Sequence, residues 1–477
     1  MAKDFRSFIE KLKEVAPDEI VEISRPVDPR YEATTLMRKL ELEGRCPLAL
    51  FHGAKNLNGG KAQVPLAINA FASRKKLAVA LDLPPEQYKM EPVFELAKRY
   101  RNLIKPIVID YKDAPVKEIV QKGDEVDLWD YPVPIHHALD GGPYILGGST
   151  VLRNPETGVY NLAMLRYHLK SGQKATIHAE PHHHSGMIVK ANRDMGKETP
   201  FAIVVGHHPS YYLGSQWEGP YGNDEYEIAG AAMDEPVRLV PSETWGEDFM
   251  VPADAEMIIE GVVLADEVDE EGPVGEHTRY YKTIRNGEIA VRHDPVVKFT
   301  AITRRKDAYF LTANLGHPDQ ALIGSIPKEA VVYETAKACC PGVKAVHLTP
   351  GGVARYICYI SLKQRVAGEA KNAIMASFIS DWHIKFVVAV DDDIDVFNDQ
   401  EVLWAIALRT QPHERFFVIP GCMGATLDPT VSLDSRKPVT SKMGIDATKP
   451  FGEPFSDVCE VPLDLLQKIK IEDYLDK

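Results

Sequence analysis

Thr150-Val151-Leu152-Arg153 and Val159-Tyr160-Asn161-Leu162-Ala163-Met164 flank the turn formers Asn154-Pro155-Glu156-Thr157-Gly158. Two runs rich in apolar and β-branched residues, joined by five turn residues, spell a β-hairpin. Working outward, residues 201–205, 257–264, 296–300 and 309–312 have the same composition and are punctuated by Gly and Pro. Many short strands between residues 116 and 320 predict a barrel or a sandwich.

The flanks differ from this centre. In residues 1–115, Phe5, Phe8, Ile9, Leu12 and Val15 recur at helical spacing behind Asp4, a residue suited to cap a helix start. Strand-like runs at 20–23, 48–51 and 65–69 and a helical pattern at 94–100 make this an α+β region. Residues 325–477 alternate helical patterns (328–340, 367–379, 401–408) with strand-like runs (356–362, 386–390, 416–419). That alternation predicts an α/β domain with a largely parallel sheet, followed by a C-terminal tail. The fold class expected is therefore α+β and multi-domain, with boundaries near 115 and 320–325.

At 477 residues the chain is too long for one core, and 44% hydrophobic with 26% charged residues is an ordinary globular composition. A net charge of −14 with no clustered Lys and Arg argues against a nucleic acid or an anionic membrane as partner. No apolar run is long enough to span a bilayer, and the first residues lack a signal peptide's apolar centre, so a cytoplasmic location is expected. Cys46, Cys339, Cys340, Cys358, Cys422 and Cys459 form no C-x-x-C pair, which leaves zinc and redox readings without support. Cys339 and Cys340 close a helical pattern and are expected to be buried free thiols.

Glu271-Gly272-Pro273-Val274-Gly275-Glu276-His277-Thr278 places two carboxylates on a segment that Gly and Pro keep from being a helix. Two carboxyls in a partly desolvated site shift each other's protonation, which is what a proton transfer needs. Arg166 is a candidate carboxylate clamp through its forked donors. Asn161, His184 and Glu227 offer an amide oxygen, an imidazole nitrogen and a carboxylate, a hard set suited to Mn²⁺ or Mg²⁺. His182 and His183 compete with His184 for the imidazole. Asn161 and Arg166, five residues apart, lie on opposite faces of a regular strand. A bulge, or use of the strand's end, must intervene for both to meet one ligand.

Taken in order, six stretches resemble signatures of the UbiD-type decarboxylases, which use prenylated flavin mononucleotide. They are Asn161 through Arg166, His182 through Gly186, Glu225 through Ala231, Glu271 through Thr278, Val390 through Asn398, and Ser441 through Thr448, and the resemblance spans residues 4–460. It implies a central split barrel, related to flavin reductases, that holds the cofactor, and a C-terminal domain that carries oligomer contacts. It implies Asn161, Met164, Leu165, Arg166, His183, His184, Glu227 and Lys442 around prenylated FMN. Asn161, His184 and Glu227 would hold the divalent ion against the flavin phosphate, with K⁺ nearby. Arg166, Glu271 and Glu276 would be catalytic, Glu276 as proton donor. Trp217 and His277 are expected at the substrate pocket, and the acidic run 391–395 is given no catalytic role.

The activity implied is reversible, non-oxidative decarboxylation of an aromatic, heteroaromatic or α,β-unsaturated carboxylic acid. It would run through a covalent substrate–cofactor adduct, loss of CO₂ and protonation by a glutamate. Loss of CO₂ from an sp² carbon leaves charge that no side chain delocalises, so an external electron sink is required. Physiological carboxylation is the same path reversed. A non-catalytic flavin-binding subunit and an ordinary flavin reductase are the competing functions, and the complete Arg166, Glu271, Glu276 set argues against the non-catalytic subunit. No G-x-G-x-x-G follows a strand, so no nicotinamide site is indicated. The partners implied are a UbiX-type flavin prenyltransferase as cofactor supplier and further copies of the chain, as a dimer or a hexamer.

Overall fold

The computed structural model of the chain describes residues 2–284, 287–431 and 438–474. The first helix, Phe5–Val15, starts where expected. Asp4 Oδ1 accepts from Ser7 N (2.8 Å) while Ser7 Oγ accepts from Asp4 N (2.9 Å), so two otherwise unpaired donors of the helix start are satisfied. Its face of Phe5, Phe8, Ile9 and Leu12 is buried. Strands Ile20–Val27, Leu48–Ala54 and Leu66–Ile68 form a sheet whose fourth member is distant in sequence. Phe310–Thr312 pairs in parallel with Leu66–Ile68 and ties the centre of the chain to its start.

The central sheet has nine strands. Along its path run Tyr144–Ile145, Arg166–Leu169, Lys174–His178, Arg292–Arg304, Met257–Glu271, Thr199–Val205, Gly148–Arg153 and Tyr160–Ala163, and Ile119–Lys122 pairs off the path with Arg292–Arg304. The predicted hairpin is present, Gly148–Arg153 against Tyr160–Ala163 with Leu152 opposite Asn161. What the pattern showed as one strand through Arg166 is two, broken at Met164-Leu165. Tyr160–Ala163 lies at one end of the path and Arg166–Leu169 is one strand in from the other. Three Cα steps join them, at most about 11 Å of chain. The sheet therefore curls until its margins nearly meet, as a half-barrel. Asn161 and Arg166 reach one region because they sit on different strands at the seam.

The C-terminal sheet runs Val343–Leu348, Ile357–Leu362, Phe386–Asp391, Val439–Ala447, Phe416–Met423. Only its two central pairings are parallel, while both outer strands pair antiparallel, so the largely parallel sheet expected is a mixed one. The helix expected from residue 328 begins ten residues earlier, at Pro318, and continues to Cys339 across the 320–325 junction. It is buried on several sides, which erased the one-sided apolar stripe that would have shown its start. Buried polar contacts fasten it to its neighbours. Asp319 accepts from Asn69 N and Phe71 N, and Glu329 pairs with Arg74 (2.7 Å) while accepting from Leu348 N (2.9 Å). Of the two adjacent thiols only Cys340 is buried and Cys339 is exposed. The acidic run is structural. Asp391 and Asp393 hold Arg409, Asp395 pairs with Lys89, and Asn398 caps the helix Asp399–Arg409.

Candidate active site

Glu271 ends its strand, and residues 272–280 turn back as a loop with Gly272 at φ 103° and a cis peptide to Pro273. That turn brings Glu276 beside Glu271 over Arg166. Arg166 Nε and Nη2 grip the two oxygens of Glu271 at 2.9 and 3.1 Å, a two-pronged fork. Glu276 receives both of its contacts, 3.1 and 3.0 Å, from the single nitrogen Nη1. Tyr144 OH adds a third donor to Glu271 (3.1 Å) while its ring stacks on His168 at 4.5 Å. Both carboxylates are buried. Burial alone would raise Glu271, but the Arg166 charge and hydrogen bonds outweigh it and hold this carboxyl below its usual range. Burial disfavours the Arg166 cation, and Glu276 and Glu271 more than compensate.

Behind this trio lies a second polar layer that the sequence reading missed. His178, the Cα partner of Arg166, has Nδ1 2.7 Å from Asp294 Oδ2. Its Nε2 lies 3.0 Å from Arg292 Nη1, which also donates to Glu180 Oε1 at 3.0 Å. His178, Glu271 and Asp294 lie close enough to share one ion. Burial opposes charging the His178 ring, yet Asp294 and Glu180 prevail and hold it above its ordinary value, while the bond to His178 carries Glu180 well below the carboxylate range. The available signal was alternation: His178 and Glu180, like Arg292 and Asp294, are separated by two positions, the repeat of one strand face.

The second cluster lies at the other side of the seam. Asn161 Nδ2 donates to Glu225 Oε1 (2.7 Å), Leu162 N donates to Glu225 Oε2 (2.6 Å), and His184 Nδ1 lies 3.5 Å from Glu225 Oε1. The expected acid, Glu227, is replaced by Glu225. On the helix Glu225–Met233 two positions are roughly 200° apart, so Glu225 shares the buried face of Ala229 and Ala232 and Glu227 does not. That i, i+4, i+7 pattern was the signal overlooked. His184, first residue of the helix His184–Asp194, is the histidine that reaches the cluster, whereas His182 and His183 are exposed. Asn161 Oδ1 is buried and has no hydrogen-bond partner among the described residues. An orphan acceptor beside a carboxylate and an imidazole fits a hard divalent cation, with Asn161, His184 and Glu225 as ligands.

Lys442 is not where expected. It sits on the strand Val439–Ala447, buried, and its ammonium donates to the carbonyls of Phe378, Trp382 and Ile384 at 3.2, 3.3 and 2.7 Å. All three protons are committed to main chain, so it braces the turn after the helix Glu369–Ser380 and is not a free charge for a phosphate. Met164 and Leu165 are half-buried in the link between the margins and pack on the core. His277 stacks parallel to Tyr356 at 6.2 Å and approaches His383, at the junction of the Glu276 loop with the C-terminal region. Trp217 lies against Gly219.

Comparison with known proteins gives the family. Models of the 3-octaprenyl-4-hydroxybenzoate carboxy-lyase N-terminal, Rift-related and C-terminal domains match residues 12–105, 108–318 and 321–447. An anhydromevalonate phosphate decarboxylase of Methanosarcina mazei is 31% identical over 445 residues, 93% of this chain and 96% of that protein. The UbiD-class enzyme HmfF from Pelotomaculum thermopropionicum, solved in complex with FMN, superimposes with a TM-score of 0.89 at 34% identity over 99% of this chain and all of the other. An evolved dimeric form of HmfF in complex with prFMN gives 0.86 at 32% identity, with the same coverage. These matches make the protein a carboxy-lyase. It belongs to the UbiD family.

Proposed function

We propose that the chain is a prenylated-FMN-dependent, non-oxidative decarboxylase of an aromatic, heteroaromatic or α,β-unsaturated carboxylic acid, with Glu276 as proton donor. The observation that carries the role of Glu276 is the asymmetry at Arg166. Glu271 is locked by a two-nitrogen fork and by Tyr144, whereas Glu276 shares one nitrogen. Glu276 can gain or lose a proton without opening the fork, and Glu271 cannot. Arg166 and Glu271 therefore orient Glu276 beside the place where a carboxylate arrives.

Asn161, His184 and Glu225 would hold Mn²⁺ or Mg²⁺ against the phosphate of the flavin, with K⁺ nearby, and Met164, Leu165 and His183 would complete the surroundings. When bound, the cofactor supplies the electron sink for the charge left by departing CO₂. The domains we assign are residues 1–115, a cofactor-holding split barrel at 116–320, and an α/β oligomerisation domain at 325–477. Support for a homo-oligomer, dimer or hexamer, comes from the tail. Phe451, Phe455, Leu463, Leu466 and Ile471 are all exposed apolar residues at the end of the chain. No helix among the described residues is long and apolar enough to cross a membrane, and we place the enzyme in the cytoplasm.

The test is co-expression with a UbiX-type flavin prenyltransferase in the presence of Mn²⁺ and K⁺, followed by mass and absorbance analysis of the bound flavin and a screen for CO₂ release. Co-purification of prenylated FMN with release of CO₂ from an unsaturated or aryl acid is the expected result. Fully loaded protein inert towards every such acid would overturn the assignment.

A further inference from the structure

Between the helix Glu32–Leu42 and the loop 272–280 lies a cavity of about 340 Å³, and Glu276 is part of its wall. That volume is near the lower end of small-molecule sites, roughly 300–1,000 Å³. The walls carry several nitrogen-bearing side chains, among them Arg38, His136, His137, Arg279 and His317. The backbone is shaped to admit these side chains. A Cβ on Gly275 would stand 2.5 Å from His137 Nδ1, and one on Gly316 would stand 3.0 Å from Arg279 Cγ, so glycine at both places lets the ring and the arginine stem into the wall. Arg279 holds a left-handed φ of 64°, unfavourable for a residue with a Cβ, and its N–H donates to Glu276 O at 2.9 Å.

The charges are unevenly matched. Glu41 accepts from Arg38 (2.7 Å) and meets His317 (2.6 Å). Asp140 is occupied by the N–H groups of His137 and Gly275 and by Tyr281 OH. No carboxylate pairs with Arg279 among the described residues. His136, one of the lining residues, is 5% exposed and its Nδ1 has no partner among the described residues. Burial keeps that ring neutral, down to about 3. The histidine nitrogens do not converge as a metal-ligand group would.

We propose that this cavity is a subsite for a second anionic group, phosphate or carboxylate, at the end of the substrate remote from the carboxyl that is lost. Arg279 and Arg38 are its cationic donors. The proposal rests on the reading of Glu276 as proton donor, because a substrate whose reacting carbon sits at Glu276 has this space beside it.

The experiment uses the cofactor-loaded protein, so the flavin phosphate site is filled. Protection against thermal unfolding by inorganic phosphate and by acetate is measured for wild type, Arg279→Ala and Arg38→Ala. Phosphate protection of wild type that weakens about tenfold or more in Arg279→Ala is expected. Protection by phosphate alone assigns a phosphate group to the substrate, and comparable protection by acetate assigns a carboxylate. The kinetic counterpart is the ratio of kcat/KM for an acid bearing a second anion to that for its analogue without one, which Arg279→Ala lowers by the same factor. Equal protection of wild type and Arg279→Ala, no protection by either anion, or an unchanged ratio would overturn the subsite. The binding measurement needs no turnover. Phosphate binding lost in Arg279→Ala by a protein that decarboxylates nothing would sink the proposed function and keep the subsite.

Discussion

Glu276→Gln separates the two carboxyls most cleanly. The glutamine keeps one acceptor for Arg166 Nη1 and turns an NH₂ towards a nitrogen that now lies 3.0–3.1 Å away, so one favourable contact becomes unfavourable. The Arg166 charge stays matched by Glu271 through the fork, and no buried cation is stranded. The stability cost is therefore that of one hydrogen bond to a charged group, about 1–3 kcal/mol. The loss in rate is of another order, because a general acid contributes about 10²–10⁴-fold, or roughly 3–5 kcal/mol of barrier at ~1.4 kcal/mol per decade. Glu271→Gln opens the fork, because an NH₂ in place of Oε2 faces Arg166 Nη2, while Oε1 still accepts from Arg166 Nε and Tyr144 OH and Glu276 still pairs with the cation, so its stability cost is again about 1–3 kcal/mol. The assay is CO₂ release by wild type and both variants at matched flavin content, with urea midpoints measured in parallel. Glu276→Gln turning over within threefold of wild type would refute the assignment of the proton donor.

The metal-site correction gives a paired test. Glu225→Ala should lose divalent metal and flavin on gel filtration while Glu227→Ala keeps both, and the opposite ranking would restore Glu227. Lys442→Met strands three buried carbonyls and should cost roughly 2–4 kcal/mol, with flavin content per folded molecule unchanged; loss of flavin at full stability would return Lys442 to the phosphate. His136, His168, His207 and His208 are buried, which lowers them from 6.5 to about 3, 4, 4 and 3. A depressed histidine stabilises the fold above 6.5 and ceases to do so as pH falls, because the unfolded chain takes up the proton first. His178, held above 6.5, and Asp319, which burial raises from 3.8 to about 6, act in the opposite sense and are outnumbered. The urea midpoint should therefore drop steadily between pH 7 and 4.5, and a flat midpoint over that range would refute the account.

Local rules were legible wherever one side of an element met solvent. The Asp4 cap, the apolar stripe of Phe5–Val15 and the hairpin around Asn154-Pro155 could all be read from spacing. They failed where burial was all-round or pairing was long-range. The helix from Pro318 carries apolar residues on nearly every face, so its start left no periodic mark. Phe310–Thr312 reads as a strand of the central region, but its parallel partner Leu66–Ile68 lies in the first region's sheet, and so long a reach leaves no local mark. At the site, Glu271 and Glu276 stand out because Gly and Pro mark a loop, and Arg166 through its forked donors and the family resemblance. Glu225 was missed for its neighbour because two nearby acids on a helix differ in facing, which chain order does not show. His178 and Asp294 were missed because they meet only across the strands that carry them.

The charge balance of the candidate site leads to a last prediction. Arg166, Arg292 and Lys282 are three cations that face the carboxylates of Glu271, Glu276, Glu180 and Asp294. With the His178 ring neutral, three against four is an excess of negative charge in a partly buried place, and a substrate carboxylate makes it three against five. Burying that excess is costly unless protons enter with the ligand. Two groups can accept them: Glu276, whose hold on Arg166 is a single nitrogen, and His178, whose two carboxylate neighbours favour the charged ring. A proton on Glu276 is also the one that a departing CO₂ requires, so binding would load the acid that catalysis spends. Acid binding should therefore take up about one proton per site at pH 7, read from calorimetric titrations of a non-reacting carboxylic acid in buffers of different ionisation enthalpy. In Glu276→Gln the uptake should fall while the affinity persists. Binding without any proton uptake in wild type would refute the coupling argued from the three cations and four carboxylates.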